Sequence, residues 1–500
     1  MDQTLEPGKI KISMKKFIFI LLTLAFTLLL IVCLKTVIHP FSRIEVPSTE
    51  LEIPELKEKE ISRLAKGLSI PTVSNPEYSK TNFQPFLTYL SFLKSAYPLV
   101  FSSFIESRVN QYGLVLHWPG KDPNLKPILF LAHYDVVPPG AESGWDQPAF
   151  SGNIAGSRIY GRGALDMKNV VHGLLDASER LLESRFQPER SVYFAFGHDE
   201  EVGGREGAVQ IAKHFQSLGL EFDAVYDEGG VVAKQGSLPG INSDLAMIGV
   251  AEKGFLSARI KVKGIGGHSS MPPLESAMGK AAKIMLRLET DQMKQRIIPP
   301  MEEFLDNVGG SMNFISRVAI ANLWIFKPIL LGQFSKSPAT NAITRTTTAL
   351  TMMKGSDGTN VLSPEVEFVV NFRLLPGDTV EDVRAHIQKA TFGYEVEVEE
   401  VSNTRNPSLV SSTKTHAYSH LSSTIKSLFP NTVITPYITI GGTDAFKYEI
   451  VSSNIYRFNP VVLDQEEQRS IHNQNEYISL ENYRRSVFYY QKMIQNYDKH

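Results

Sequence analysis

Five apolar residues at 192–196 (Val-Tyr-Phe-Ala-Phe) run without a break into Gly197-His198-Asp199-Glu200-Glu201. A run this short, mostly aromatic or β-branched and stopped by glycine, has the composition of a strand buried on both faces. It delivers two adjacent carboxylates to the strand's C-terminal end, the edge at which open α/β sheets bind ligands. Like charges side by side do not both stay ionised unless positive charge lies between or beside them. The stretch alone admits two readings, a solvated acidic loop or an acidic site built around metal ions.

The same arrangement recurs along the chain. Residues 128–132 (Ile-Leu-Phe-Leu-Ala) end on His133-Tyr134-Asp135, and residues 222–226 run into Asp227-Glu228-Gly229-Gly230. Residues 159–163 lead into Ala164-Leu165-Asp166-Met167-Lys168, after which Val170, Leu174, Leu175, Ala177 and Leu181 recur at helical spacing. Another helix is expected at 208–218. Alternating strands and helices predict an α/β fold with a mostly parallel sheet covered by helices on both faces. After about residue 251 the texture changes to strands at 257–262, 349–353 and 366–372, with one helix at 276–288. That change predicts a smaller α+β lid or dimerisation domain, inserted at 253–375 between two parts of the first domain at 56–252 and 376–500. The edge of strand 257–262 is expected to be open to pairing with a second copy. A strand at 453–458 and a helix capped by Ser479, with Glu481 in its first turn, return the chain to the first domain.

The 51 basic and 53 acidic residues nearly cancel, so nucleic acid is not an expected partner. The single cysteine, Cys33, lies in an apolar N-terminal run, which excludes disulfides, cysteine-ligated zinc and a cysteine nucleophile from the folded body. Residues 17–34 are uncharged and span about 27 Å as a helix at ~1.5 Å per residue, close to the hydrocarbon thickness of a bilayer. Lys9, Lys11, Lys15 and Lys16 precede this segment, whereas Lys35 and Arg43 follow it among Glu45, Glu50 and Glu52. The asymmetry predicts a signal anchor with a cytosolic tail at 1–16. A stalk at 35–55 then leads to a body in the lumen of the vacuole, lysosome or secretory pathway, or outside the cell. The alternative is a cleaved signal peptide and a secreted product. The run is longer than a usual signal-peptide core, and no Asn-x-Ser/Thr sequon occurs.

His133, Asp135, Asp166, Glu200, Glu201, Asp227 and His472 all fall at expected strand ends or loops, and all offer oxygen or imidazole donors. Donors of this kind suit zinc, with cobalt or manganese as substitutes. If His133, Asp166, Glu201, Asp227 and His472 hold two divalent ions, three carboxylates leave about one net positive charge, and Glu200 brings the site to neutrality. Glu200, left unligated, is then placed to accept a proton, and Asp135 to fix the His133 tautomer. Taken singly, each of these residues has an ordinary structural role as core histidine, helix cap, turn former or surface histidine.

Together they carry a resemblance. His133-Tyr134-Asp135, residues 161–168 (Gly-Arg-Gly-Ala-Leu-Asp-Met-Lys), residues 198–204 (His-Asp-Glu-Glu-Val-Gly-Gly), Gly266-Gly267-His268-Ser269-Ser270 and Ile471-His472 resemble the motif series of the dinuclear zinc hydrolases that include carboxypeptidase S, aminoacylase and acetylornithine deacetylase. Residues 339–343 and 345–350 are similar to the branch of carboxypeptidase S and the N-fatty-acyl-amino-acid hydrolase/synthase. The resemblance implies two zinc ions per subunit bridged by Asp166. His133 and Asp227 would complete one site, Glu201 and His472 the other. It further implies Glu200 as general base, Asp135 as a supporting carboxylate behind the metal ligands, and His268 as an oxyanion donor, often across a homodimer. Arg373 and Asn341 are implied as substrate contacts. The expected activity is hydrolysis of an amide bond beside a free α-carboxylate, in short peptides or in N-acyl, including N-fatty-acyl, amino acids. Two alternatives stand beside it: a dinuclear aminopeptidase, and a non-catalytic, membrane-tethered binding protein on the same fold.

Overall fold

The apolar runs pair into one ten-stranded mixed sheet. In the computed structural model, which describes residues 13–41, 52–238, 240–401 and 404–499, its centre is parallel. Ile128–His133 lies between Val192–Gly197 and Ala224–Asp227, and Ala224–Asp227 continues to Ile455–Arg457. Antiparallel strands Ile105–Val109 and Gly113–Trp118 close one edge. Most of the expected tail, residues 1–12, and the middle of the stalk, residues 42–51, lie outside the described residues.

Helix Lys168–Glu183 is buried along most of its length against the sheet and against helix Leu480–Gln495. Ser479 caps the latter, its hydroxyl accepting from the Asn482 N–H at 3.1 Å. The expected strand at 453–458 forms as Ile455–Arg457, and the helix at 208–218 as Ala208–Ser217.

The second unit is a four-stranded antiparallel sheet with its own core. Leu256, Ala258, Ile260 and Val262 alternate inward on one strand, and Val366, Phe368, Val370 and Phe372 on its neighbour. They pack on helices Ala277–Thr290 and Val380–Thr391. Two expectations change here. The unit does not stop at residue 375, because Val396–Glu400 pairs with Gly254–Lys263 and helix Val380–Thr391 covers the same core. For the same reason strand Gly254–Lys263 offers no free edge: Glu365–Leu374 pairs with it on one side and Val396–Glu400 on the other.

Between residues 299 and 342 the chain forms four helices, Pro299–Gly309, Phe314–Ala321, Leu323–Phe334 and Pro338–Ala342, to which the sequence reading assigned no elements. The first carries one buried face, with Met301, Phe304, Leu305 and Val308 in a third core. The third is apolar on every side and has no one-sided periodicity to read.

The two sheets meet at Glu252, the last residue of strand Asp244–Glu252. Its fully buried carboxylate accepts from Arg457 Nε at 2.5 Å, Arg405 Nη2 at 3.1 Å and the Thr443 hydroxyl at 2.7 Å. Both Arg457 Nη atoms are buried without another partner among the described residues. Removing one member of a buried pair strands the other's charge, which costs about 3–5 kcal/mol. Glu252→Ala should therefore lose about that much stability in urea unfolding; a loss below about 1 kcal/mol would show that the network is dispensable.

Candidate active site

Each acid is delivered by a strand end in register with the next. His133 lies opposite Gly197, so His133 and the turn that follows Gly197 share one sheet edge. Phe130 lies opposite Tyr226, which carries Asp227 and Glu228 to the same edge. Glu200–Val202 forms a single tight turn closed by Gly203, whose φ of 107° falls in the region open to glycine. Beneath this turn lies Asp135, fully buried, with one oxygen accepting the Glu200 N–H at 3.1 Å and the other the Glu201 N–H at 3.2 Å. His133 Nδ1 donates to the Asp135 carbonyl oxygen at 3.0 Å, which leaves Nε2 facing the acids.

Asp166 sits in the turn before helix Lys168–Glu183. The turn is organised by buried Glu476, which accepts the N–H groups of Gly163, Leu165 and Asp166 and the Arg162 guanidinium. The two oxygens of Asp166 face opposite histidines, Oδ1 lying 2.9 Å from His133 Nε2 and Oδ2 2.9 Å from His472 Nε2. Glu201 approaches His472 at 3.1 Å, and His133 is approached by Glu228 at 3.3 Å and by Glu200 at 4.0 Å.

Protonation follows from this packing. Asp166 and then Glu201 hold the His472 imidazole up to about 10. Burial works to lower the His133 pKa, but Asp135, Asp166 and Glu228 outweigh it and raise it well above the usual imidazole range. Burial pushes Glu228 up to about 8, reinforced by Asp166, and raises Glu200 well above the carboxylate range despite His133. Asp166 stays low, since its two imidazoles more than offset its burial.

The donor set fits divalent cations. Ligand atoms of His133, Asp166 and Glu201 lie within 4.8 Å of one another, as do those of His133, Glu200 and Glu228. Glu201 Oε1 is buried with no hydrogen-bond partner among the described residues. Asp227 belongs to neither group, and Glu228, one residue on, lies 3.3 Å from His133. Asp227 is the last residue of its strand, in register with Arg457, and burial pushes it up to about 7.

Beside the cluster opens a cleft of about 740 Å³ lined by Glu200, Glu201, Phe255, Arg373, Arg405 and Lys447, among others. The Arg373 guanidinium stacks over Phe255 at 4.6 Å, and burial together with Arg405 draws its pKa down. Lys447 is paired with Asp444 and held protonated by Asp444 and Glu200 against its burial. Neither Asn341 nor His268 lines this cleft. Asn341 accepts from Gln295 at 3.4 Å, and His268 is exposed on a two-residue strand, its Nδ1 2.8 Å from the Ser270 hydroxyl. Sequence reasoning missed Glu228, Glu476, Glu252, Arg405, Asp444 and Lys447. Only Glu228 carried a readable signal, as the second acid of a strand-end pair like Glu200-Glu201.

Residues 129–496 match the peptidase family M20/M25/M40, and the chain belongs to that family of metal-dependent peptidases and amidohydrolases. Membership implies a metal cofactor. The chain is 38% identical over 469 residues to the N-fatty-acyl-amino acid synthase/hydrolase PM20D1 of Xenopus tropicalis, covering 93% of this chain and 91% of that protein. It is 37% identical over 441 residues to a Dictyostelium discoideum protein named "Probable carboxypeptidase S-like 2", covering 88% and 85%. Its fold is similar to that of the metallo-carboxypeptidase Sso-CP2 of Sulfolobus solfataricus, with a TM-score of 0.64 at 18% identity over 88% of this chain and 99% of the other.

Because His472 and Glu228 hold protons at neutral pH in this packing, a cation binding there must displace them. Zinc affinity should rise on the order of tenfold or more per pH unit between about pH 6 and 8. Calorimetry in buffers of different ionisation enthalpy should read net proton release; an affinity independent of pH would contradict this account.

Proposed function

We propose that this chain is a zinc-dependent hydrolase of amide bonds next to a free α-carboxylate, acting on short peptides, N-acyl amino acids or both. One observation carries the reading: the base candidate Glu200 and the guanidinium groups of Arg373 and Arg405 face a single cleft beside a cluster of metal donors. A planar guanidinium fork suits a carboxylate, and the cleft is large enough for a small acylated amino acid. The names of the relatives, carboxypeptidase S-like and N-fatty-acyl-amino acid synthase/hydrolase, favour the same two substrate classes.

In this reading Asp166, His133 and Glu228 would hold one zinc ion, and Asp166, Glu201 and His472 a second. Opposed approach of two histidines to the two oxygens of Asp166 supports the bridging role, and the 3.3 Å approach to His133 favours Glu228 over Asp227. Bound zinc supplies polarisation of the carbonyl and acidification of water. Glu200 takes the proton of the attacking water and returns it to the leaving nitrogen. Asp135 holds Glu200 through its N–H, and Arg373 binds the α-carboxylate. His268 steadies the oxyanion, which from its exposed position requires movement of the lid or a second copy of the chain.

Glu200→Gln should lose on the order of 10²-fold or more in kcat on N-acyl amino acids and dipeptides, with zinc content near wild type. Retained activity, or lost zinc, would remove Glu200 from the role of base. If His268 acts from a second copy, His268→Ala and Glu200→Gln chains, each inactive alone, should regain activity when mixed, because one hybrid site has both residues intact. No recovery in verified mixed dimers would leave only action within one chain.

A further inference from the structure

We infer that the helix pair Phe314–Ala321 and Leu323–Phe334 lies in the interfacial layer of a phospholipid bilayer, as a second membrane contact beside the N-terminal helix. Helix Met14–Ile38 is apolar and almost wholly exposed. Within it only Val32 and Thr36 are buried among the described residues, both in its last two turns. The helix pair packs at that end. Asn322, at the joint between the two short helices, is fully buried and donates to the Val32 carbonyl at 3.2 Å and the Thr36 hydroxyl at 3.1 Å. Just beyond, His39 lies 3.0 Å from Asp306, and Phe41 is buried with its ring edge against Gly309. The Asn322 contacts seat the pair at the level where the long helix leaves its uncharged span, and those of His39 and Phe41 hold the adjoining helix Pro299–Gly309 beside it.

What the pair presents at that level is apolar. Helix Leu323–Phe334 (Leu-Trp-Ile-Phe-Lys-Pro-Ile-Leu-Leu-Gly-Gln-Phe) has no buried residue and one charge, Lys327. Trp324 and Ile329 are more than half exposed on it, as are Phe314 and Ile315 on the preceding helix. A helix apolar on all sides is normally buried in protein or in lipid; among the described residues protein covers this one only in part, with Leu323, Leu331 and Phe334 packed against the third core and the rest of its surface open. At 12 residues it spans roughly 18 Å, too short to cross a bilayer but suited to lying in its surface. Lys35 Nζ lies 5.3 Å from the Trp324 ring, bringing together the two residue types that mark the boundary between lipid and water. A second copy of the chain would cover one face of the helix; a lipid surface continuous with the one around residues 17–34 covers the rest.

The test uses the full chain in lipid nanodiscs, with mass analysis showing residues 14–38 present; a chain recovered from membranes without them overturns the inference. Of the three tryptophans, Trp118 and Trp145 are buried in the body. Phosphatidylcholine brominated near the headgroup end of its acyl chains should therefore quench up to about one-third of the emission, and Trp324→Phe should abolish that quenching. Unchanged wild-type emission, or quenching that survives Trp324→Phe, overturns the proposal. In a Cys33→Ser background, Ile315→Cys and Ile329→Cys should react with a water-soluble maleimide on the order of tenfold more slowly than Leu274→Cys, whose parent residue is fully exposed. Equal rates would put the helices in water. Protection without bromine quenching, in discs holding two chains, would assign the surface to a second copy instead.

Discussion

Four carboxylates, Asp166, Glu200, Glu201 and Glu228, converge on two imidazoles at one edge of a buried sheet, and their mutual repulsion is the constraint that the surrounding structure answers. Burying several like charges is costly unless each is hydrogen-bonded and cations balance the sum. A second layer of buried acids does not bond these carboxylates but fixes the turns that carry them. Asp135 spends both oxygens on the N–H groups of Glu200 and Glu201, and Glu476 gathers the Asp166 turn with three N–H groups and Arg162. The balancing charge is left to cations: Glu201 Oε1 is buried without a partner among the described residues, and burial raises the Glu200 and Glu228 pKa values, so the set suits divalent ions better than a solvated acidic loop would.

The same economy of charge links the two sheets. Glu252 ends one strand and Gly254 begins the next, so a single residue, Lys253, separates the strands of the two sheets. Glu252 holds Arg405 and Arg457, while Lys253, drawn down to about 7 by burial, bonds the carbonyls of Ala342 and Arg345. The crossing thereby ties together the cleft wall, the second sheet and the end of the helical segment. Arg373 enters the cleft on a strand of the second unit paired with Gly254–Lys263, so Arg373 and Glu200 reach the same cleft from different cores.

Much of this was legible in one dimension because the signals are local. Apolar runs of five or six residues ending on acids have period and composition enough to be read as buried strands, and the acids at their ends inherit a shared edge from the parallel order of the sheet. Ser479 as a cap and the alternating lid strands were readable for the same reason. The helices between residues 299 and 342 were not, since an all-round apolar segment has no face that distinguishes it from a strand or a loop. The extent of the lid beyond residue 375 depends on Val396–Glu400 returning to pair with a strand more than a hundred residues earlier, which no local pattern encodes.

The sequence by itself determined the class of chemistry, because without cysteine in the body the available donors are carboxylates and imidazoles, and strand-end placement assembles them. Tertiary structure decided which of two neighbouring acids, Asp227 or Glu228, meets His133. Adjacent residues at a strand end point to opposite sides, and whether the strand stops one position earlier or later is set by its partners, Ile128–His133 and Ile455–Arg457. It decided too that Glu476, Glu252 and Arg405 support the site, since each acts through contacts between segments far apart in the chain.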